Sequence, residues 1–312
     1  MTKKSWAVIG TWKFAEEGIP VSERILKEGG SAKEAVIEGI VPVEDNPEFE
    51  SVGYGGLPDR DGRMTFDGGF MDGDTLSFGA VAVLEGYRSA IRTAASLAHG
   101  DSNNFLAGAG ADAYAEAMGF EKRNNLTEKA KEKYEEKKKE LNAENSGHDT
   151  VCFLALDQKG SICAGTSTSG MFMKMQGRVG DTPMPGNGYY ADSDIGAAAA
   201  TGQGEEIAKG ALSYAAVSLL FQGYSAKEAA EKAVLDLNDK LVRKKGYANP
   251  MSLILVDKDG NFGIGTNTFF PFVVSDSEKG MRMYAGDYID GKMIVESEEE
   301  YIKNHGHGIV QP

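Results

Sequence analysis

The chain is short of the residues that make redox, metal and histidine chemistry easy. Its 312 residues include two cysteines, Cys152 and Cys163, and four histidines, His99, His148, His305 and His307. Both cysteines fall in strand-like runs, where small buried thiols are commoner than a disulfide or a nucleophile. No histidine forms a metal-type pair with a cysteine or a helical i, i+4 partner, and no Gly-x-Ser-x-Gly elbow occurs. Gly186-x-Gly188 lacks the third glycine of a dinucleotide loop, and no Walker lysine follows either glycine cluster. No metal and no organic cofactor is therefore expected. No window approaches the roughly 18 apolar residues of a membrane span, and the start of the chain lacks a signal peptide's apolar stretch, so a cytoplasmic protein without a membrane partner is expected. Positive charge is also scarce: 33 Lys and Arg face 47 Asp and Glu, and the net charge of -14 is spread along the chain. Nucleic acid is a poor partner for such a surface.

What is present fits a large globular core, with 41% hydrophobic and 26% charged residues. Residues 7–9 read as a strand and residues 21–29 as a helix. Ser31-Ala32-Lys33-Glu34 and Ser225-Ala226-Lys227-Glu228 are capping boxes that open helices. The glycine-rich passage from Ser51 to Asp74 suits loops and a short hairpin, and helical periodicity is read over residues 81–98 and 111–118. Residues 121–148 form a charged stretch with scarcely an apolar face, either a solvated helix or a linker, which separates two halves.

Beyond it the character changes abruptly. "VCFLALDQKGSICAGTSTSG" from Val151 and "MSLILVDKDGNFGIGTNTFF" from Met251 each give an apolar strand, an Asp-x-x-Gly turn and a second strand. If Asp157 to Gly160 makes the first turn, antiparallel partners sum to a constant, and residue 150 falls opposite residue 167 to within about one position. Thr150 then faces Thr166-Ser167-Thr168. A threonine hydroxyl is a poor nucleophile without a base, and a new N-terminus at Thr150 would supply one, since an α-amine titrates at roughly 7.7 to 8.0. The Gly- and Pro-rich loop that follows carries Arg178 and Asp181, which can hold the carboxylate and ammonium of a zwitterion or simply pair at the surface. Gly196 to Ala200 is read as a closely packed strand. Thr201-Gly202 ends it and offers a hydroxyl and a backbone N–H for an oxyanion, before a helix with acidic residues in its first turn.

Taken together, "HDT", "AGTSTSG", "GRVGDTPMPGNGYYAD" and "GAAAATGQGE", with "SVGYGGLPD" and "MDGDTLSFGAV" upstream, resemble the glycosylasparaginase branch of the N-terminal-nucleophile hydrolases. The resemblance implies an α+β fold, a four-layer αββα sandwich. It implies a precursor that cuts itself between Asp149 and Thr150 into an α-chain of residues 1–149 and a β-chain of residues 150–312. The cut products are expected to form one structural domain and to assemble as a homodimer of αβ units. It places the nucleophile on Thr150, a supporting hydroxyl on Thr168, the substrate's charged groups on Arg178 and Asp181, and the oxyanion hole on Thr201 and Gly202. Ser51 falls near the nucleophile's amine, and Trp12 at the mouth of the site. The implied substrate is a small molecule, asparagine carrying N-acetylglucosamine on its side-chain amide; isoaspartyl dipeptide and free asparagine hydrolysis is the sister activity. A binding protein that has kept the fold and lost catalysis is the alternative of another class. Gly10, where an asparagine often stands, and Tyr189, where a smaller residue is frequent, depart from the pattern and bear on the leaving-group pocket.

Overall fold

The computed structural model describes residues 4–99, 102–140 and 149–310. The first half runs from β1 (Ala7–Thr11) through α1 (Ile19–Lys27) and α2 (Ala32–Asp45) to β2 (Thr65–Asp72) and β3 (Phe78–Glu85). It continues with α3 (Ala90–Leu97), β4 (Phe105–Ala107), α4 (Ala109–Ala117) and α5 (Glu128–Lys137). The second half opens with β5 (Val151–Leu156), β6 (Ile162–Thr168), β7 (Tyr189–Asp192) and β8 (Gly196–Gly202), then α6 (Gly204–Gly210), α7 (Leu212–Phe221) and α8 (Ala226–Lys245). It ends with β9 (Met251–Asp257), β10 (Phe262–Thr266), β11 (Phe270–Asp276), β12 (Arg282–Ile289), β13 (Lys292–Ser297) and α9 (Glu298–His305).

Among the described residues the strands form two sheets of mixed α/β architecture. The larger has the order β13-β12-β11-β1-β5-β6-β2-β3-β4, with β3 and β4 parallel, and the smaller the order β10-β9-β8-β7. Strand β8 shows how they stack, because its period of two sorts alanines to opposite faces. Ala197 and Ala199 join the apolar cluster of β1, β5 and β11, while Ala198 and Ala200 join that of α7 and α8. The small sheet is therefore covered by the large sheet on one face and by helices on the other. Helices α2 and α3 cover the large sheet over β6, where a Cβ on Gly165 would lie 2.4 Å from Val36 and 3.0 Å from Ile91. No helix among the described residues is long and apolar enough to cross a membrane.

Local chemistry explains most of the elements. Ser31 and Ser225 accept from the backbone N–H three residues on, and Glu34 and Glu228 reach back, closing both capping boxes. Strand β8 forms despite its helix-favouring alanines, because each narrow side chain fits between two packed faces. The charged stretch contains helix α5, docked by Ala130 and Tyr134. Tyr134 packs with Leu57, Phe172 and Met173, and its hydroxyl donates to the Arg60 carbonyl at 3.0 Å. Residues 141–148 of the expected linker lie outside the described residues.

Two expectations are corrected. The helix read over residues 81–98 is a strand, β3, followed by the short α3. Its Ala-Val-Ala-Val-Leu run is buried except at Val83, with Val81 and Leu84 packed among β2, α3 and α4, and a continuous apolar run does not reveal its period. The passage from Ser51 to Asp74 contains the eight-residue β2, an interior strand of the large sheet. Its glycines mark close approach rather than looping: a Cβ on Gly69 would sit 2.0 Å from the buried Tyr189 ring. The same contact accounts for Tyr189 itself, which fills space above Gly69. Gly10 is set by Phe153, whose ring would lie 2.8 Å from an added Cβ. Both departures are accommodations of the core.

Candidate active site

The site forms where strand ends from both sheets converge. Val151 pairs with Ser167, so the next positions outward on β5 and β6 are Thr150 and Thr168, one place from the sequence expectation. On the other side of β5, β1 ends beside them. Thr11 Oγ1 donates to the Thr150 carbonyl at 2.6 Å and accepts from the Cys152 N–H at 2.8 Å, pinning the first turn of strand to its neighbour. The small sheet supplies Thr201 and Gly202 from the end of β8. Gly202 has φ 119°, and a Cβ there would lie 2.5 Å from the Pro250 carbonyl oxygen, so glycine is required.

Hydroxyls surround the Asp149–Thr150 peptide. Thr168 Oγ1 lies 3.3 Å from the Asp149 carbonyl oxygen and 3.2 Å from the Ser51 carbonyl oxygen, and it accepts from the Gly170 N–H at 3.0 Å. Its single proton is thus shared between two carbonyls, one of them in the Asp149–Thr150 peptide. The Thr150 N–H donates to Thr201 Oγ1 at 3.0 Å, and Trp12 Nε1 donates to the same oxygen at 2.9 Å. Thr150 Oγ1 is 3.3 Å from Thr182 Oγ1. All of these threonines are buried. Ser51 contributes through its backbone, its carbonyl also accepting from the Ser169 N–H at 2.8 Å.

Charged groups lie to one side. Arg178 and Asp181 do not form the surface pair allowed by their spacing. Arg178 Nε and Nη2 grip the two oxygens of Glu205 at 2.9 and 2.8 Å, and Gln203 Nε2 donates to Glu205 Oε2 at 2.6 Å. Asp181 is 3% exposed and its Oδ2 has no hydrogen-bond partner. Burial pushes its carboxyl up to about 7 despite the opposing pull of Arg178. A buried carboxylate with an unused oxygen can receive a cation. Glycine at 204 makes room, since a Cβ there would lie 2.7 Å from Asp181 Oδ1. Behind Arg178, Lys174 is buried, donates to the Thr65 and Ser169 carbonyls at 3.2 and 2.8 Å, and has its pKa lowered by burial.

Trp12 departs from its expected place at the mouth. It is 5% exposed, its ring stands edge-on to Phe270 at 5.1 Å, and φ of 63° at the end of β1 turns the indole inward. Sequence reasoning missed Thr11, Thr182 and Glu205. Thr182 stands next to Asp181 in "GDTP" and Thr11 next to Trp12, so adjacency was the available signal. The cysteines are free and buried, with thiols held well above their ordinary range by desolvation. His99, His305 and His307 bond Lys33, Glu296 and the Gly308 carbonyl rather than these threonines; His148 lies outside the described residues. Among the described residues no group of three or more His, Cys, Asp or Glu could hold a metal.

A family model described as asparaginase matches residues 12–285. The N(4)-(Beta-N-acetylglucosaminyl)-L-asparaginase of Elizabethkingia miricola is 37% identical over 286 residues, covering 88% of this chain and 83% of that protein. The Isoaspartyl peptidase/L-asparaginase of Macaca fascicularis is 38% identical over 263 residues, covering 82% of this chain and 83% of the relative. That of Mus musculus is 38% identical over 260 residues, covering 81% and 76%.

Proposed function

The chain belongs to the asparaginase family, and from that premise we propose that it is an N-terminal threonine amidohydrolase acting on N4-(β-N-acetylglucosaminyl)-L-asparagine. The observation that carries the reading is the crowding of Thr168, Thr201 and Thr182 around one peptide, Asp149–Thr150. On this reading the fold is a four-layer αββα sandwich, and the chain cuts itself into residues 1–149 and 150–312. The family resemblance extends it to a pair of cut αβ units.

Self-cleavage begins with Thr150 Oγ1 attacking the Asp149 carbonyl carbon. The carbonyl oxygen gains negative charge, and the Thr168 hydroxyl is placed to donate to it. The C–N bond breaks as the Asp149–Oγ ester forms, and the Thr150 proton ends on the departing nitrogen. Water then hydrolyses the ester, leaving the Asp149 carboxylate and a free Thr150 amine.

That amine is the base for turnover. It takes the Oγ1 proton as oxygen attacks the side-chain amide of bound substrate, whose oxygen accepts from the Thr201 hydroxyl and the Gly202 N–H. Arg178 receives the substrate's α-carboxylate and Asp181 its α-ammonium. The proton passes to the leaving amine, and water releases aspartate from the β-aspartyl ester. No step calls for a metal or organic cofactor.

The test is an activity panel on purified protein resolved into two pieces on a denaturing gel. The reading expects a higher kcat/KM for N-acetylglucosaminyl-asparagine than for β-aspartyl dipeptides. The reverse order would move the assignment to the activity named for the Macaca relative.

A further inference from the structure

The family match stops at residue 285, within β12, and residues 286–310 run past the Thr11 end of the large sheet at its β12–β13 edge before returning to Lys13. Thr11 pairs with Phe272, and Phe270 with Gly286, so β12 continues three residues beyond the level of Phe270. At about 3.3 Å per residue the β12–β13 hairpin, which pairs Ile289 with Lys292, overhangs that end by roughly 10 Å. Helix α9 then turns back, its start fixed by a Ser297–Glu300 capping box.

Two contacts tie this appendage to the segment holding Trp12. Tyr301 packs on Phe269 at 5.8 Å between ring centres, and the next residue, Phe270, meets the Trp12 ring edge-on. Past α9, Ile309 is fully buried in the apolar cluster that contains Trp12 and Phe14, and its carbonyl accepts from Lys13 Nζ at 2.9 Å. Between these anchors, Tyr301 stacks on His305 at 4.2 Å and meets His307 edge-on at 5.6 Å, leaving both imidazoles exposed. The Arg178–Asp181 clamp comes from a different loop. The appendage therefore lies against Lys13 and Phe269 and, through Phe270, against the buried Trp12, none of which belongs to the clamp's loop.

We infer that residues 286–310 form the outer wall for the group carried on the substrate's amide nitrogen and set the enzyme's preference for a bulky leaving group, a hexosamine under the function proposed above. The partly buried tyrosine and the two imidazoles offer an aromatic surface with hydrogen-bonding edges, which suits a ring of hydroxyls better than ammonia. The inference rests on the amidohydrolase reading, and free asparagine, whose leaving group is too small to reach this wall, is its internal reference.

The experiment compares the intact protein with a chain ending at Ser297, and with Lys13→Met and Tyr301→Ala, on asparagine, N-acetylglucosaminyl-asparagine and a β-aspartyl dipeptide. The shortened chain should lose at least about tenfold in kcat/KM on the bulky substrates through KM while staying within about twofold on asparagine, and each point variant should move the same way by a smaller factor. Equal losses on all three substrates, or none, would overturn the inference. Should the shortened chain not fold, the two point variants decide it. Failure of the intact protein to cleave asparagine or either larger substrate would instead sink the proposed activity.

Discussion

Trp12 Nε1 lies 2.9 Å from Thr201 Oγ1, and the same oxygen lies 3.0 Å from the Thr150 nitrogen. An indole N–H and a peptide N–H can only donate, so both lone pairs of the Thr201 hydroxyl are occupied. Its one proton must point elsewhere, which makes it available to a developing oxyanion. Under the proposed function Trp12 would therefore act through Thr201, as a positioning residue.

Trp12→Phe keeps the ring and removes the donor. It should lower kcat on asparagine about tenfold, the worth of roughly one hydrogen bond, with little change in KM. Steady-state kinetics separates the two parameters. A change confined to KM would make the indole a binding surface after all, as its expected place at the mouth implied.

Self-cleavage is read on a denaturing gel. Thr150→Ala should remain a single chain, because no hydroxyl is left to attack Asp149. Thr168→Val keeps the shape and removes the donor to the Asp149 carbonyl, so cutting should slow by about 10²-fold. A break at 149–150 in Thr150→Ala at the wild-type rate would eliminate the mechanism.

The neighbourhood of Thr150 was legible because it depends on arithmetic. A turn at Asp157 to Gly160 fixes which residues oppose one another, and Thr150 and Thr168 followed to within one position. Capping boxes at Ser31 and Ser225 were legible because their geometry is local. The orientation of Trp12 was hidden, since it turns on a positive φ that sequence does not display. Glu205 was read only as a helix start, and its grip on Arg178 needs a fold that brings α6 beside the loop. Strand β3 was hidden for another reason: residues Gly79 to Ala82 are buried in succession, which erases the alternation that identifies a strand.

Under the proposed function that grip bears on substrate binding. Glu205 holds Nε and Nη2 of Arg178, which fixes the guanidinium plane that a carboxylate must meet. Arg178→Lys keeps the charge but loses the fork, and should cost about 2 kcal/mol in kcat/KM. Substrates with an acylated α-amine or an amidated α-carboxylate should be refused. Equal rates on free and blocked substrates would leave Arg178 and Asp181 with a structural role alone.

Asp181 should trade stability for binding, and pH exposes the trade. Its carboxyl titrates at about 7 in the fold against an ordinary 3.8, because burial disfavours the charge. Between those values the folded chain holds a proton that the unfolded chain has lost, so stability falls as pH rises through this window and levels off above about 7. The full difference is about 4 kcal/mol. Asp181→Asn removes the charge but leaves a buried amide N–H in place of an unpartnered oxygen, at a cost of roughly 1–3 kcal/mol. Urea unfolding should therefore find the variant about 2 kcal/mol more stable than wild type at pH 8 and level with it near pH 5. The same variant should lose activity, since an amide cannot neutralise the substrate's α-ammonium. In the wild type, kcat/KM should rise with pH through about 7 as the carboxylate forms. An Asp181→Asn protein less stable than wild type at pH 8 would show that the carboxylate is compensated in the fold, and the case for a site awaiting a cation would fail with it.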